Sequence, residues 1–259
     1  MTENANITAK TNTKIIVSVD AMGGDQGPAV VISGLLLSTK QHKDIRFLVH
    51  GPEDQLTPLI EKHKLSNFCT IVHAERTVSM DDKPSQVMRN GKGTSMWSAV
   101  TSVKQEDADC CVSCGNTGAL MAISMIRLRK LPGIIRPAIA ILWPSFGVNG
   151  FNVMLDVGAD IRADENDLLQ FALMGASYSR NGFGVARPRV GVLNVGTEEH
   201  KGRAELKSAY DLIMDAAETG NFEFIGFVEG SDIPTASVDV IVTDGFTGNI
   251  ALKTAEGTA

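Results

Sequence analysis

The sequence lacks an excess of positive charge. Its 24 lysines and arginines are outnumbered by 30 aspartates and glutamates, so the formal net charge is -6. A chain with this balance has no global positive field to hold nucleic acid or an anionic membrane surface, and no nucleic-acid partner is predicted. One local group of cations, Arg127, Arg129, Lys130 and Arg136, is interpreted as a solvated helix end, where positive charge is favourable.

Long apolar runs are also missing. The longest stretch, residues 118–126, is far shorter than the roughly 20 residues that a membrane-spanning helix needs. Residues 1–13 are polar and contain no apolar core of a secretory signal, so we expect a disordered N-terminal tail. These features predict a cytoplasmic protein without a transmembrane helix.

Cysteine and histidine are few. Cys111 and Cys114 have CxxC spacing, but no second cysteine pair or nearby histidine completes a zinc site. We interpret Cys69, Cys110, Cys111 and Cys114 as free reduced thiols, with a thioredoxin-like redox motif as the alternative. The five histidines are scattered and only His200 lies in a glycine-rich turn, so no nucleophilic triad and no covalent acyl-enzyme are predicted.

Short β-branched apolar runs alternate with amphipathic stretches along the 259 residues. This alternation is typical of βα units and predicts an α/β fold with a mainly parallel sheet, in which residues 14–259 form a single catalytic domain after the tail. Helices are predicted over residues 164–179 and 206–217, and another starts after Phe246. Strands are predicted at residues 15–19, 45–49, 70–72, 110–112, 138–142, 153–155, 190–193, 224–228 and 238–242.

Five of these strands are followed by a glycine-rich polar turn. Turns after the carboxyl ends of parallel strands face one edge of a sheet, so we expect them to gather at a common rim. Glycine allows close approach of the backbone, and N–H groups at the following helix starts make the rim suitable for an anion. None of the turns has a Walker or dinucleotide pattern, which favours a small anion such as phosphate. The turns are residues 20–25, 113–118, 156–160, 194–202 and 244–249.

Charged residues lie within or near these turns. Lys201 is the first catalytic candidate, and its alternative interpretation is a solvated loop lysine. Arg89, Lys92 and Ser95 precede an amphipathic helix in the manner of phosphate-binding segments. The turn aspartates either accept loop N–H bonds or hold a divalent cation, and we favour the first interpretation, so no metal site is predicted. These aspartates are Asp20, Asp25, Asp156, Asp160 and Asp244.

From residue 15 onward the chain resembles the phosphate acyltransferase family of bacterial phospholipid synthesis. That family makes acyl phosphate from acyl carrier protein thioesters. Asp160 stands where the family commonly has Asn, and Cys114 where a smaller residue is usual. The segments that carry the resemblance are VDAMGGDQGP, MDDKPSQVMRNGKGTSM, SCGNTGALMA, RPAIA, LDVGAD, QFALMG, PRVGVLNVGTEEHKG and DVIVTDGFTGNIALKT.

The resemblance implies a layered α/β sandwich similar to phosphate acetyltransferases and to isocitrate and isopropylmalate dehydrogenases. It also implies a homodimer, further C-terminal helices beyond Ala259, contact with the membrane, and no cofactor. The implied partners are acyl carrier protein, inorganic phosphate and the membrane acyl-phosphate:glycerol-3-phosphate acyltransferase. Because the carrier is acidic, residues 127–136 become a candidate docking patch.

Catalytic roles follow from the same resemblance. Lys201 is assigned to phosphate and to the developing negative charge, with Asn116, Thr117 and Asn249 as supporting donors. Arg89 and Lys92 are assigned to phosphate or to the carrier protein. The other implied phosphate- or acyl-binding positions are Asp20, Gly23, Gly24, Asp25, Ser95, Gly115, Gly118, Asp156, Gly158, Asn194, Gly196, Asp244, Gly245, Thr247 and Gly248.

Two other functions remain open at this point. A metal- and NAD-dependent decarboxylating dehydrogenase would share the fold and explain the aspartates. A non-catalytic scaffold of lipid synthesis would share surfaces but no chemistry. Phosphate-dependent thiol release distinguishes the three, because only the transferase uses phosphate as a substrate.

Overall fold

The computed structural model describes residues 14–198 and 201–258. The chain divides into two compact units, the first ending at Arg129 and the second beginning at Lys130. The tail expected at residues 1–13, together with Glu199 and His200, lies outside the described residues.

The first unit is built on a four-stranded parallel sheet with the strand order β3-β2-β1-β4. Its strands are β1 (Ile15–Asp20), β2 (Ile45–Gly51), β3 (Cys69–His73) and β4 (Cys110–Ser113). Its helices are α1 (Pro28–Gln41), α2 (Glu53–Lys62), α3 (Pro84–Asn90), α4 (Ser95–Lys104) and α5 (Thr117–Arg127).

Alternation along β1 separates the two faces of this sheet. Val19 packs in a buried cluster with Leu35 of α1 and Leu56 of α2. The neighbouring residue Ser18 points to the opposite face, where its hydroxyl donates to the backbone carbonyl of Ala99 in α4 at 2.8 Å. Because successive strand residues face opposite sides, helices cover both faces and the unit has three layers.

The second unit contains a five-stranded sheet with the strand order β5-β6-β9-β7-β8. Only β5 runs antiparallel to its neighbour, and the other pairs are parallel. Its strands are β5 (Ala140–Pro144), β6 (Phe151–Leu155), β7 (Arg189–Leu193), β8 (Glu223–Val228) and β9 (Val240–Val242). Its α-helices are α6 (Glu165–Phe183), α7 (Ala204–Ala216) and α8 (Gly245–Thr258).

Helix α6 illustrates how local sequence sets these elements. Asp164 caps its start by accepting hydrogen bonds from the backbone N–H groups of Asn166 and Asp167, both at 2.9 Å. Gly184 ends the helix in a left-handed conformation with a φ of 71°. Between these caps, Phe171 belongs to the buried cluster that joins α6 and α7 to one face of the sheet. Residues of α8 pack on the other face.

The predicted α/β class, layered and with mainly parallel strands, is confirmed. All nine predicted strands are present, and they are divided between two sheets. The helices expected from residues 164 and 206 and after Phe246 are also present as α6, α7 and α8. The assignment of residues 14–259 to one domain stays a prediction. Within the described part of the chain, no helix combines the length and apolar character needed to cross a membrane.

Candidate functional site

The turns after β1 and β4 touch each other, because the two strands are neighbours in the first sheet. A Cβ atom on Gly23 would lie 2.6 Å from the backbone nitrogen of Gly115, so a larger residue would push the two turns apart. Gly24 has a φ of 95° and faces the backbone of Cys114. The turn glycines at these positions therefore allow two backbones to approach at the carboxyl edge of the sheet.

Ser113 and Asp20 connect these two turns. The Ser113 hydroxyl donates to Asp20 Oδ2 at 2.7 Å and accepts from the backbone N–H of Gly115 at 3.1 Å. The other oxygen of Asp20 accepts from the backbone N–H of Met22 at 3.3 Å. Asp20 therefore stiffens the turns through hydrogen bonds, as expected for an aspartate in this position.

Asn116 uses both ends of its side chain within the protein. Its Oδ1 atom accepts from the Ala119 N–H at 3.0 Å and caps α5. Its Nδ2 atom donates to the backbone carbonyls of Met80 and Asp82, both at 2.9 Å. Asn116 therefore fastens residues 79–82 to the start of α5. The first helical residue, Thr117, is exposed, and a Cβ on the next residue, Gly118, would lie 2.8 Å from the Pro84 ring.

The predicted phosphate-binding segment at residues 89–95 leads into α4, as expected. Ser95 is buried and its backbone N–H donates to the carbonyl of Arg76 at 2.8 Å. The Arg76 guanidinium in turn donates to the carbonyl of Lys92. Arg89 and Lys92 are both exposed, and neither forms an ion pair with another described residue.

An apolar cavity of about 710 Å³ lies beside β1 in the first unit. Side chains of β1, β2 and α1 form most of its lining, including Val19, Leu35 and Phe47. At the carboxyl end of β1 the lining changes to the turns, where Gly23, Gly24, Asp25 and Cys114 line the cavity. The cavity therefore joins an apolar space to a polar, glycine-rich rim.

In the second unit, Asp156 organises the turn after β6. Its fully buried carboxylate accepts backbone N–H bonds of 2.9 to 3.1 Å from Ile139, Gly158, Ala159 and Asp160. Burial raises the pKa of Asp156, and the backbone donors oppose that shift. The carboxylate thus holds the turn in place from the inside.

Helix α8 begins against this turn with no space for larger residues. A Cβ on Gly245 would lie 2.0 Å from the carbonyl oxygen of Asp160, and a Cβ on Gly248 would lie 2.0 Å from the carbonyl oxygen of Asp156. Such distances are far inside van der Waals contact. The first turn of α8 and the turn after β6 therefore fit together only with glycine at both positions.

Asn249 completes this contact. Its Nδ2 atom donates to the carbonyl oxygen of Val157 at 3.1 Å. A Cβ on Gly158, whose φ is 139°, would lie 3.0 Å from the same nitrogen. The side-chain amide of Asn249 is therefore used to hold the turn, as that of Asn116 is in the first unit.

Asp244 lies two residues after the strand β9 and is also buried. Its Oδ1 atom accepts from the backbone N–H and the hydroxyl of Thr247, at 2.9 and 3.0 Å. Its Oδ2 atom accepts from the guanidinium of Arg203. Burial acts to raise the pKa of Asp244, but the hydrogen bonds from Thr247 and Arg203 outweigh it and lower the pKa overall.

The turn after β7 holds the predicted catalytic lysine. Lys201 Nζ lies 2.8 Å from Glu198 Oε2, with both side chains close to half exposed, and this hydrogen bond raises the pKa of Lys201. Asn194 lies beneath the turn, where its Nδ2 atom donates to the Lys201 carbonyl at 3.3 Å. Its buried Oδ1 atom has no hydrogen-bond partner among the residues described. A Cβ on Gly196 would lie 2.4 Å from Lys201 Cδ.

The structure thus brings the predicted turn residues together within each unit. The turns after β1 and β4 are in contact, and the turn after β6 contacts the start of α8. Arg203, which sequence reasoning did not select, connects the end of the β7 turn to the end of β9. Its sequence signal is its place directly after Gly202 and before an amphipathic helix. A common rim for all five turns stays a prediction.

Three of the turn aspartates make the hydrogen bonds of the interpretation we favoured, and the absence of a metal site stays a prediction. Asp20, Asp156 and Asp244 accept hydrogen bonds from loop N–H or hydroxyl groups. Over residues 14–198 and 201–258, no cluster of three or more His, Cys, Asp or Glu side chains is placed to hold a metal ion. The four cysteines carry free thiols.

Three members of the basic group are engaged in local contacts, and one of them is Lys130, whose ammonium donates to the carbonyl of Ile135. Arg127 is the last residue of α5, as the helix-end interpretation expects. Its guanidinium lies 5.3 Å from the centroid of the Trp97 ring and donates to the Thr101 hydroxyl at 3.0 Å. In the second unit, Arg136 pairs with Asp160 and lies 3.5 Å from Asp167.

Residues 15–259 match a family model described as Fatty acid synthesis protein. The chain belongs to this family. It is 65% identical over 246 residues to a phosphate acyltransferase of Paracoccus denitrificans (strain Pd 1222), covering 95% of this chain and 66% of the relative. Identity is 67% to a phosphate acyltransferase of Ruegeria sp. (strain TM1040), with the same two coverages. The phosphate acyltransferase of Jannaschia sp. (strain CCS1) is 63% identical over 100% of this chain and 71% of its own length.

The resemblance to the phosphate acyltransferase family is therefore confirmed. The chain spans about two thirds of the length of the curated relatives it matches. Among solved structures, a phosphotransacetylase from Streptococcus pyogenes matches with a TM-score of 0.68 and 17% identity, over 95% of this chain and 82% of that one. A branched-chain phosphotransacylase from Enterococcus faecalis V583 matches with a TM-score of 0.62 and 13% identity, over 94% and 84%. At these identities the likeness concerns the fold alone.

Proposed function

We propose that the chain transfers a fatty acyl group from an acyl carrier protein thioester to inorganic phosphate. The product is an acyl phosphate for phospholipid synthesis. The observation that carries this proposal is the 65% identity to a phosphate acyltransferase over 95% of the chain. The proposal includes a cytoplasmic, membrane-associated homodimer whose product passes to a membrane acyl-phosphate:glycerol-3-phosphate acyltransferase.

The geometry of the turns supports a small anion as one substrate. In both units, glycine-rich turns bring backbone N–H groups to the carboxyl edge of a parallel sheet, where buried aspartates hold them in place. The apolar cavity beside β1 supports an acyl compound as the other substrate, because residues of such a turn form part of its lining. An acyl thioester needs an apolar space next to a polar reaction centre.

In the proposed reaction, a phosphate oxygen attacks the thioester carbonyl carbon and forms a tetrahedral oxyanion. The C–S bond then breaks, the acyl group stays on phosphate, and the carrier leaves as a thiolate that takes up a proton. Lys201 and the turn N–H groups are assigned to the negative charge that develops. We assign Asn116 and Asn249 to positioning, since their amides already hold the turns that carry these N–H groups.

The test is phosphate-dependent thiol release from acyl carrier protein thioester, followed with a thiol reagent. For Lys201→Ala we expect a fall in kcat of about a hundredfold, the size seen when one oxyanion donor is removed. Lys253→Ala is the matched control, because Lys253 pairs with Glu256 at 2.7 Å in the same i,i+3 arrangement as Lys201 with Glu198.

Each outcome has a distinct meaning. Near-normal turnover by Lys201→Ala would return Lys201 to the interpretation as a solvated loop lysine. A wild-type chain that releases no thiol but reduces NAD with magnesium would be the dehydrogenase. If the chain has neither activity, the non-catalytic scaffold is the interpretation that remains.

A further inference from the structure

We infer that Arg203 binds the phosphate substrate through guanidinium N–H groups that Asp244 leaves unused. The inference rests on the proposed acyl transfer to phosphate and adds a residue to its phosphate site. Arg203 lies at the end of the turn after β7 and reaches the end of β9, which is the neighbouring strand. It therefore occupies the carboxyl edge of the second sheet.

A buried carboxylate fixes the position of Arg203. Asp244 is 1% exposed, and its remaining hydrogen-bonding capacity is used by the N–H and hydroxyl of Thr247. Breaking the pair would leave a buried charge without compensation, so the contact is costly to give up. The guanidinium is thus ordered before any ligand arrives, which reduces the entropy lost on binding.

Arg203 nevertheless faces solvent. Its side chain is 55% exposed, while a guanidinium carries five N–H donors and Asp244 receives a hydrogen bond from Nη2. The carboxylate offsets part of the positive charge. Attraction for a ligand therefore depends mainly on directed N–H bonds, and these suit the paired oxygens of a phosphate better than a point charge would.

The backbone before Arg203 is built to place it there. Gly202 has a φ of 86°, and a Cβ at this position would lie 2.3 Å from Asn194 Oδ1. Arg203 is also the N-cap residue of α7, where no side-chain cap is present. The N–H groups of Ala204 and Glu205 precede the first hydrogen bond of α7, in which the Leu206 N–H donates to the Arg203 carbonyl at 3.2 Å, so these two groups lie beside the guanidinium as further donors for an anion.

Comparison with Lys201 strengthens the assignment. Lys201 pairs with Glu198, and both side chains are 43% to 49% exposed and belong to one turn. Exposed pairs of this kind contribute little energy and do not fix a side chain firmly. Arg203 has a buried anchor on a different strand, so it is the better-ordered cation at this edge of the sheet.

The experiment measures KM for phosphate in thiol release by Arg203→Ala and Arg203→Lys. Loss of charge-assisted hydrogen bonds predicts a rise of about 10- to 100-fold for Arg203→Ala, with partial recovery in Arg203→Lys. KM for the acyl thioester should change less than about twofold, since the lost bonds go to phosphate alone. Arg187→Ala is the control, because Arg187 is an exposed arginine paired with Glu218 at 2.9 Å in the same unit.

A purely structural role predicts something different. It would change kcat or both KM values together, and it would lower the melting temperature without altering the response to phosphate. We therefore also measure the rise in melting temperature with inorganic phosphate at constant ionic strength and without acyl donor. The wild type should be stabilised and Arg203→Ala should lose most of that response. If Arg203→Ala does not fold, the same phosphate titration is carried out on Arg203→Lys, and a reduced rise in its melting temperature supports phosphate binding by Arg203.

The outcomes separate the inference from the proposed function. Active wild type with an unchanged phosphate KM in Arg203→Ala overturns the inference and leaves the function standing. Parallel rises in both KM values overturn it as well. A third outcome is that the wild type releases no thiol, but phosphate stabilises the wild type and does not stabilise Arg203→Ala. That result would support the anion site and contradict the proposed acyl transfer.

Discussion

Asn249 donates a hydrogen bond from its side-chain amide to the backbone carbonyl of Val157, at 3.1 Å. The bond joins the first turns of α8 to the turn after β6. Asn116 has the same relationship in the first unit, where its amide donates to the carbonyls of Met80 and Asp82. The glycine-rich segments at residues 113–118 and 244–249 thus each contain an asparagine whose amide holds a neighbouring loop.

Replacing Asn249 with alanine should lower the free energy of unfolding of the second unit by about 1 kcal/mol, the usual net contribution of one hydrogen bond. The chain has two tryptophans, with Trp97 in the first unit and Trp143 in the second. Urea unfolding followed by Trp143 fluorescence in a Trp97→Phe background therefore reports on the second unit. Asn181→Ala removes an exposed amide on α6 and should change little. Equal effects of the two substitutions would contradict the assigned role.

The glycines of α8 allow a sharper comparison. Gly248→Ala should destabilise the second unit by about 3 kcal/mol, because the added methyl would lie 2.0 Å from the Asp156 carbonyl oxygen. Gly257→Ala, in the same helix, meets nothing within 4 Å and should stabilise by about 0.5 kcal/mol through helix propensity. The same Trp143 unfolding measurement serves for both. A small effect of Gly248→Ala would show that α8 can move away from the turn.

Much of the fold follows from local sequence. The strand at residues 15–19 and its successor at 45–49 are short β-branched runs that end in turn residues, and such runs leave few other structures possible. The structure extends β1 to Asp20 because that residue still pairs with His50 of β2. Pairing of this kind depends on the neighbouring strand and is not visible in a single segment.

The site was harder to predict for the same reason. Glycine at positions 245 and 248 indicates close approach, but only the fold reveals that the neighbour is the turn around Asp156. Asn116 and Asn249 have the right chemistry for donors to substrate, and the fold shows that their amides also donate to carbonyls distant in the chain. Arg203 is 41 residues from Asp244 in the chain, so sequence alone gave no reason to pair them.

Burial of His50 should make the first unit sensitive to pH. The ring accepts or donates hydrogen bonds at 2.9 Å to Ser18 and 2.8 Å to Ser98, and burial lowers its pKa from 6.5 to about 4. Below pH 6.5 the imidazole is protonated in the unfolded state and stays neutral in the folded state. The free energy of unfolding therefore falls as the pH drops toward 4. Between pH 7 and pH 5 the loss should be about 2 kcal/mol.

Urea unfolding at several pH values, followed by Trp97 fluorescence in a Trp143→Phe background, measures this loss. His50→Gln keeps a neutral polar group and removes the titration, so its stability should depend less on pH over this range. If the free energy of unfolding changes equally with pH in the wild type and in His50→Gln, other groups cause the pH dependence.

A test of carrier docking at residues 127–136 needs a substitution that leaves the fold intact. Arg127 stacks on Trp97, and Arg136 pairs with Asp160, so reversing either charge would disturb local structure. Arg129 takes part in no ion pair with a described residue, which makes Arg129→Glu the cleaner test. If the acidic carrier docks here, its KM should rise about fivefold, equivalent to about 1 kcal/mol for an exposed charge, and KM for phosphate should stay constant.

The rise in the KM for the carrier in Arg129→Glu should become smaller as salt is added, because exposed charges are screened beyond about 10 Å at 0.1 M ionic strength. Lys40→Glu makes the same change of net charge at an exposed residue in the last turn of α1, outside the basic group. Both variants lower the net charge by two, so a general repulsion of the carrier would raise its KM equally in each. A rise confined to Arg129→Glu would locate the carrier at residues 127–136, and an unchanged KM would leave Arg129 as a solvated cation near the end of α5.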